Sequence, residues 1–269
     1  MPLSSARKVS IVTGVRGVAC EDGPVTLTRD DRTVVPRQAV APAAALAVVL
    51  VTISCVLVVD ASGPLWMQRL LGVATWCVLL VLLSGESALV RSQTAIVVVF
   101  ATAVEYTFSP VLEVYVYRFD NVPMYVPPGH GLVYFAALSV ARMTVVQARE
   151  RLLMTLVLVV GGSYAAYGVT AAERTDALGG FWYLCLVGFL LWGPSRGLYI
   201  GAFVMVTYLE VVGTTLGTWE WQRSDPTGIV AIGNPPSGAA GGYGWFDLAA
   251  LVAGPAVLAA WRWWRRTPT

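Results

Sequence analysis

Four side chains able to move a proton lie in or beside long apolar runs of this 269-residue chain: Glu105, Glu210, Asp247 and His130. A carboxylate at the centre of a bilayer costs roughly 2.5–3.5 kcal/mol on insertion scales, so each acid there needs either chemistry or hydrogen bonds to hold it. Glu105 and Glu210 each carry a hydroxyl residue four positions on, Ser109 and Thr214, which puts acid and hydroxyl on one helix face. His130 is the sole histidine and sits in Pro-Pro-Gly-His-Gly. That pattern reads as a Pro-rich loop meeting a helix, with glycines that permit close approach of a ligand. These residues are the candidate catalytic set, suited to general acid–base work.

Aromatics crowd the same stretches. Tyr115-x-Tyr117 follows Glu105, Trp219-x-Trp221 follows Glu210, and Tyr243 opens the last apolar run. The alternation predicts short extended segments with both rings on one face. Such rings could line a cleft whose π faces stabilise a cation, and the five residues are the candidate substrate-binding set. Tyr106, Tyr125, Tyr134 and Trp245 lie at the same level, and an interfacial belt is the plainer reading of the whole group.

The elements that must position these residues are membrane helices. The chain is 57% hydrophobic and 13% charged, about half the charge of a soluble domain. Its apolar residues fall into runs matching the roughly 20 helical residues that cross a hydrocarbon core. Eight spans are expected, near 40–59, 65–83, 94–109, 132–146, 152–169, 178–192, 198–216 and 243–260. The fold class is therefore all-α, a polytopic helical bundle in the lipid bilayer. Residues 1–38 are polar, lack an apolar signal region, and read as a cytoplasmic tail.

With the N-terminus in the cytoplasm, fourteen of the 18 basic residues fall on the cytoplasmic side and four (Arg69, Arg118, Arg174, Arg223) on the other. This bias predicts both termini on the cytoplasmic face of the plasma membrane. The two halves also match. Glutamate, aromatic-x-aromatic, a proline pair (Pro127-Pro128, Pro235-Pro236) and Ala-Ala-Leu recur in order. Two parallel four-helix repeats are expected, 39–148 and 149–269, related by an axis along the membrane normal.

Cys20, Cys55, Cys77 and Cys185 stand alone, and one histidine cannot build a multi-histidine centre, so neither a metal nor another cofactor is expected. No phosphate-binding loop or dinucleotide fingerprint occurs, and the arginines read as topology determinants without a nucleic-acid role. The order Glu105, Tyr115, Tyr117, Val122-Pro123, Val126-Pro127, with Glu210, Gly213, Gly217, Trp219 and Trp221 as a weaker second copy, resembles bacterial membrane carotenoid-biosynthesis proteins of the bisanhydrobacterioruberin hydratase type. The resemblance implies an apolar lipid or polyprenoid substrate and acid-assisted chemistry on a double bond, of hydratase or isomerase kind. A proton-coupled transporter or lipid carrier, and a non-catalytic membrane assembly subunit, remain open beside it.

Overall fold

The computed structural model describes residues 40–266. The expected tail, residues 1–38, lies outside the described residues. Among those described, the chain forms α1 (Pro42–Ser62), α2 (Leu65–Ser84), α3 (Ala88–Phe108), β1 (Tyr115–Tyr117), α4 (Val126–Arg142), α5 (Thr144–Ala148), α6 (Glu150–Thr170), α7 (Ala177–Trp192), α8 (Arg196–Thr215), β2 (Trp219–Trp221) and α9 (Ala239–Arg266). Local chemistry sets the boundaries. Pro42 opens α1 at a position where a missing N–H costs nothing, and Gly63-Pro64 closes it. Ser87 caps α3 by accepting from the Val90 N–H at 3.3 Å, and Asp176 caps α7 by accepting from the Gly179 N–H at 2.9 Å.

Six helices (α1, α2, α3, α6, α8 and α9) are long and apolar enough to cross a membrane. α4 and α7, with 17 and 16 residues, are shorter. For α4 the reason is its place. From Leu132 to Ala137 every side chain is buried, so it is wrapped by other helices, not by lipid. Large apolar side chains such as Val81, Val99, Leu184 and Val252 point outward from their helices, as a hydrocarbon surround demands.

One expectation is corrected. The helix expected from residue 132 begins at Val126, so His130 lies inside α4 and not in a loop. Pro127 and Pro128 fill the first turn, where absent N–H groups leave no hydrogen bond unmade. A break at Met143 then separates α4 from α5.

The centre of the bundle is α3, α4, α8 and α9. α3 packs along α9 and α4 along α8, while α1 and α2 flank α4 and α6 and α7 flank α8 and α9. Apolar burial does little to join helices in lipid, so close packing of small residues must do more. α4 and α8 meet this way: Gly197 faces Ala141, and Gly201, four residues on, faces Ala137. A Cβ on Gly201 would stand 2.5 Å from the Ala137 carbonyl oxygen. Gly201→Ala is expected to push α8 off α4 and cost about 1–3 kcal/mol, read as a lowered thermal midpoint in detergent; an unchanged midpoint would show that the two helices can part without loss.

The loops after α3 and α8 join at one end. β1 and β2 pair antiparallel, Tyr115 opposite Trp221 and Tyr117 opposite Trp219. At the opposite end the α2–α3 turn is held to the C-terminus of α4 by a two-pronged pair, Arg142 to Glu86 at 2.8 and 3.0 Å.

Candidate functional site

Glu105 lies three residues from the end of α3, with its side chain buried. Its Oε2 accepts hydrogen bonds from the Tyr115 and Tyr117 hydroxyls at 2.9 and 2.8 Å. Its Oε1 meets His130 Nε2 at 2.8 Å. The strand period explains how two tyrosines reach one carboxylate: with Val116 between them, both rings fall on the buried face. Burial, with Glu105 beside them, holds both phenols well above the ordinary tyrosine value, so they stay protonated donors at any working pH.

Glu210 on α8 repeats the arrangement with different chemistry. Its Oε2 accepts from the indole N–H groups of Trp219 and Trp221, each at 3.1 Å, and Tyr243 of α9 lines the same cavity. Trp219 can lie over α8 because residue 213 is glycine; a Cβ there would fall 1.8 Å from the indole ring. Gly217, in the left-handed region at φ 68°, turns the chain sharply from α8 into β2. Pairing of the strands brings the donors of the two carboxylates into contact, with the Tyr115 and Trp221 ring centres 4.5 Å apart.

His130 connects the two sets. Its ring stacks on Tyr243 at 5.1 Å and meets the edge of Phe246 at 5.5 Å. Its Nδ1 is buried with no hydrogen-bond partner. Glu105, Glu210, His130, Tyr115, Tyr117, Trp219, Trp221 and Tyr243 all line one cavity of about 300 Å³. The rest of its wall is almost entirely apolar, including Ile53, Val56 and Leu57 of α1, Phe100 and Phe108 of α3, and Trp182 of α7. Two lining residues, Phe100 and Trp245, also reach the outer surface, at 39% and 49% exposure.

The fourth sequence-derived acid lies elsewhere. Asp247 is buried on α9 but is not among the cavity's lining residues. Ser109 and Thr214 do not join their glutamates as side-chain partners either: Ser109 is the C-cap of α3 and the Thr214 hydroxyl donates to the Glu210 backbone carbonyl at 2.7 Å. The belt reading fits Tyr106 and Trp245, which are exposed, and fails for Tyr115, Tyr117, Tyr125, Tyr134, Trp219 and Trp221, which are buried. Arg118 does not pair with Glu105; it lies 3.8 Å from Asp60 and donates to the Gly63 carbonyl.

Two buried acids outside the candidate set anchor the loops that carry the donors. Asp60 accepts from Gln68 at 3.0 Å and from the Tyr125 hydroxyl at 2.8 Å. Asp176 accepts from the backbone N–H groups of Gly179, Gly233 and Ser237 and from the Ser237 hydroxyl, at 2.6 to 2.9 Å. Asp60 lies in the last turn of α1 and Asp176 caps the start of α7, and an acid at the edge of an apolar run was the available sequence signal.

Among the described residues no group of three or more His, Cys, Asp and Glu side chains is placed to hold a metal ion. Fold and site together define a multi-pass helical membrane class of protein, with two buried carboxylates on one apolar cavity. No protein-family model matches the chain, and the comparisons with curated proteins and with solved structures found no match.

Proposed function

We propose that the protein is a membrane enzyme that transfers protons to and from an isoprenoid or similar unsaturated lipid, with Glu105 and Glu210 as its acid–base pair. One observation carries the reading: two carboxylates, each oriented by aromatic O–H or N–H donors, face a single cavity whose wall is otherwise mostly apolar. About 300 Å³ is at the small end of ligand-pocket volumes, roughly 300–1,000 Å³, so the cavity takes one end of a long chain and the remainder lies in the bilayer.

The reaction begins when one glutamic acid gives its proton to a carbon of a substrate double bond, leaving a carboxylate and a tertiary carbocation. The faces of Tyr115, Tyr117, Trp219 and Trp221 stabilise that cation. The second carboxylate then takes a proton, either from a water whose oxygen bonds to the cation, which completes a hydration, or from the neighbouring carbon, which completes an isomerisation. His130 holds Glu105 in place and can return the proton to it. This is the chemistry that the resemblance to carotenoid hydratases implies.

In the same reading, all helices except α5 cross the plasma membrane as two parallel halves, 39–148 and 149–269, with both termini cytoplasmic. The matched bonding of Glu105 by Tyr115 and Tyr117, and of Glu210 by Trp219 and Trp221, supports the duplication. The arginine distribution supports the orientation.

The test is chemical. Lipid that co-purifies with the protein is identified by mass spectrometry, then incubated with fresh protein in D2O. Proton transfer to carbon predicts one non-exchangeable deuterium in each product molecule. A bound lipid that stays unlabelled through prolonged incubation would overturn the enzyme reading in favour of a carrier.

A further inference from the structure

Asp247 is one of three buried polar side chains left without a partner on the far side of His130. Asp247 Oδ2 on α9, the Tyr134 hydroxyl on α4 and the Tyr199 hydroxyl on α8 each have no hydrogen-bond partner, and each residue is at most 4% exposed. They share one electrostatic neighbourhood, with Asp247 acting on both phenols and Tyr199 on Tyr134. Buried polar atoms are almost always satisfied by protein or by ordered water, and a buried water typically gathers two to four such partners.

Their positions along the helices matter as much as their isolation. Tyr134 is one turn beyond His130 on α4, and Asp247 is one turn beyond Tyr243 on α9, a step of about 6 Å in each case. Tyr199 is near the start of α8, eleven residues and about 16 Å of helix rise from Glu210. Continuing along the same face of α4, eight residues past Tyr134, comes Arg142, tied to Glu86 at the end of the bundle opposite β1 and β2. The other end of this line is His130 Nδ1, itself buried without a hydrogen-bond partner.

We propose that Tyr134, Tyr199 and Asp247 bind ordered water and form the route by which protons pass between the Glu86–Arg142 end of the bundle and His130. The route rests on the reading of His130 and Glu105 as a proton-handling pair. A proton arriving on the water is passed to His130 Nδ1 while Nε2 releases one to Glu105, so the imidazole ends with its charge unchanged. The charged and titratable groups facing Asp247 are Tyr134 from α4 and Tyr199 from α8, with Arg142 acting on Tyr134. α3 and α7 bring Val97, Ala101 and Phe189 to the same level.

The sole histidine makes the route directly measurable. Full-length protein with a histidine-free affinity tag, labelled with 15N in its imidazole and placed in lipid nanodiscs, gives one histidine signal, whose N–H exchange with bulk water is then timed. Positioned proton-transfer groups contribute about 10²–10⁴-fold where they act, so Tyr134→Phe, Tyr199→Phe and Asp247→Asn are each expected to slow exchange by roughly tenfold or more, whereas Tyr106→Phe, at an exposed position, leaves it unchanged. The two phenylalanine variants remove only an oxygen and keep the ring packing. Wild-type exchange rates in all three variants would overturn the route. Because the readout needs no substrate, slowed exchange together with absent deuterium labelling of lipid would refute the enzyme reading and leave the proton route standing.

Discussion

Glu105→Gln is expected to abolish deuterium transfer to the bound lipid while leaving the protein folded, and Glu105→Leu is expected to impair the fold itself. The difference follows from what Glu105 accepts. A glutamine at 105 keeps a carbonyl oxygen where Oε2 receives the Tyr115 and Tyr117 hydroxyls. Its amide N–H can donate to a neutral His130 Nε2 where Oε1 stood. All three contacts survive, so stability should fall by no more than about 1–2 kcal/mol. The amide cannot give up a proton to carbon, and labelling should fall by about 10²–10⁴-fold, the usual contribution of a positioned acid or base. Leucine instead leaves two hydroxyls and a ring nitrogen buried without an acceptor, at about 1–3 kcal/mol each. Wild-type labelling by Glu105→Gln would remove Glu105 from the chemistry. A Glu105→Gln protein as unstable as Glu105→Leu would make the carboxylate a structural anchor.

The same glutamates show how far the sequence could be read. An acid inside an apolar run and an aromatic pair ten residues later are visible in one dimension, because the cost of a charge in hydrocarbon and the two-residue period of a strand are local facts. So the helical, membrane-type character of the chain, and the extended shape of Tyr115–Tyr117 and Trp219–Trp221, were legible. What was hidden depends on chain-to-chain approach. The pairing of β1 with β2 brings residues about a hundred positions apart into register, and neither strand alone specifies its partner. His130 has the sequence surroundings of a loop residue because Pro-Pro-Gly-His-Gly has loop composition, while position in the first turns of a helix makes both prolines harmless. Asp247 looked equivalent to the two glutamates by its surroundings in sequence. The rise of one helical turn along α9 carries it past Tyr243 and off the cavity wall. Asp60 and Asp176 do not stand out in the sequence, since short polar links between helices usually have acids in or beside them and nothing local announces burial.

Asp176→Ala is expected to be the most damaging single change outside the cavity. Asp176 is 2% exposed and uses all its acceptor capacity inward. Oδ1 receives the Gly179 and Gly233 N–H groups, and Oδ2 receives the Ser237 N–H and hydroxyl. The glycines at 168, 179 and 233 leave the room it fills, for a Cβ at any of them would come within 3.2 Å of it or closer. Alanine removes the cap of α7, worth about 1 kcal/mol, and strands buried N–H groups at about 1–3 kcal/mol each, a loss on the order of 4 kcal/mol. Asparagine should recover only part of this, because its amide N–H must face either Gly179 and Gly233 or Ser237, donor against donor. Asp60→Asn should be milder, since the Gln68 and Asn121 amides can turn together, Gln68 offering its oxygen to the new amide and its N–H to Asn121 Oδ1. The damage should also reach the cavity. The loop that Asp176 holds contains Asn234, whose Oδ1 accepts the Trp221 N–H at 3.1 Å, and Trp221 is one of the two indoles on Glu210. Melting followed by tryptophan fluorescence should therefore show Asp176→Ala unfolding well below wild type, with Asp176→Asn between them and Asp60→Asn nearest wild type. Equal midpoints for Asp176→Ala and wild type would mean that the 233–237 loop is held in place without this carboxylate.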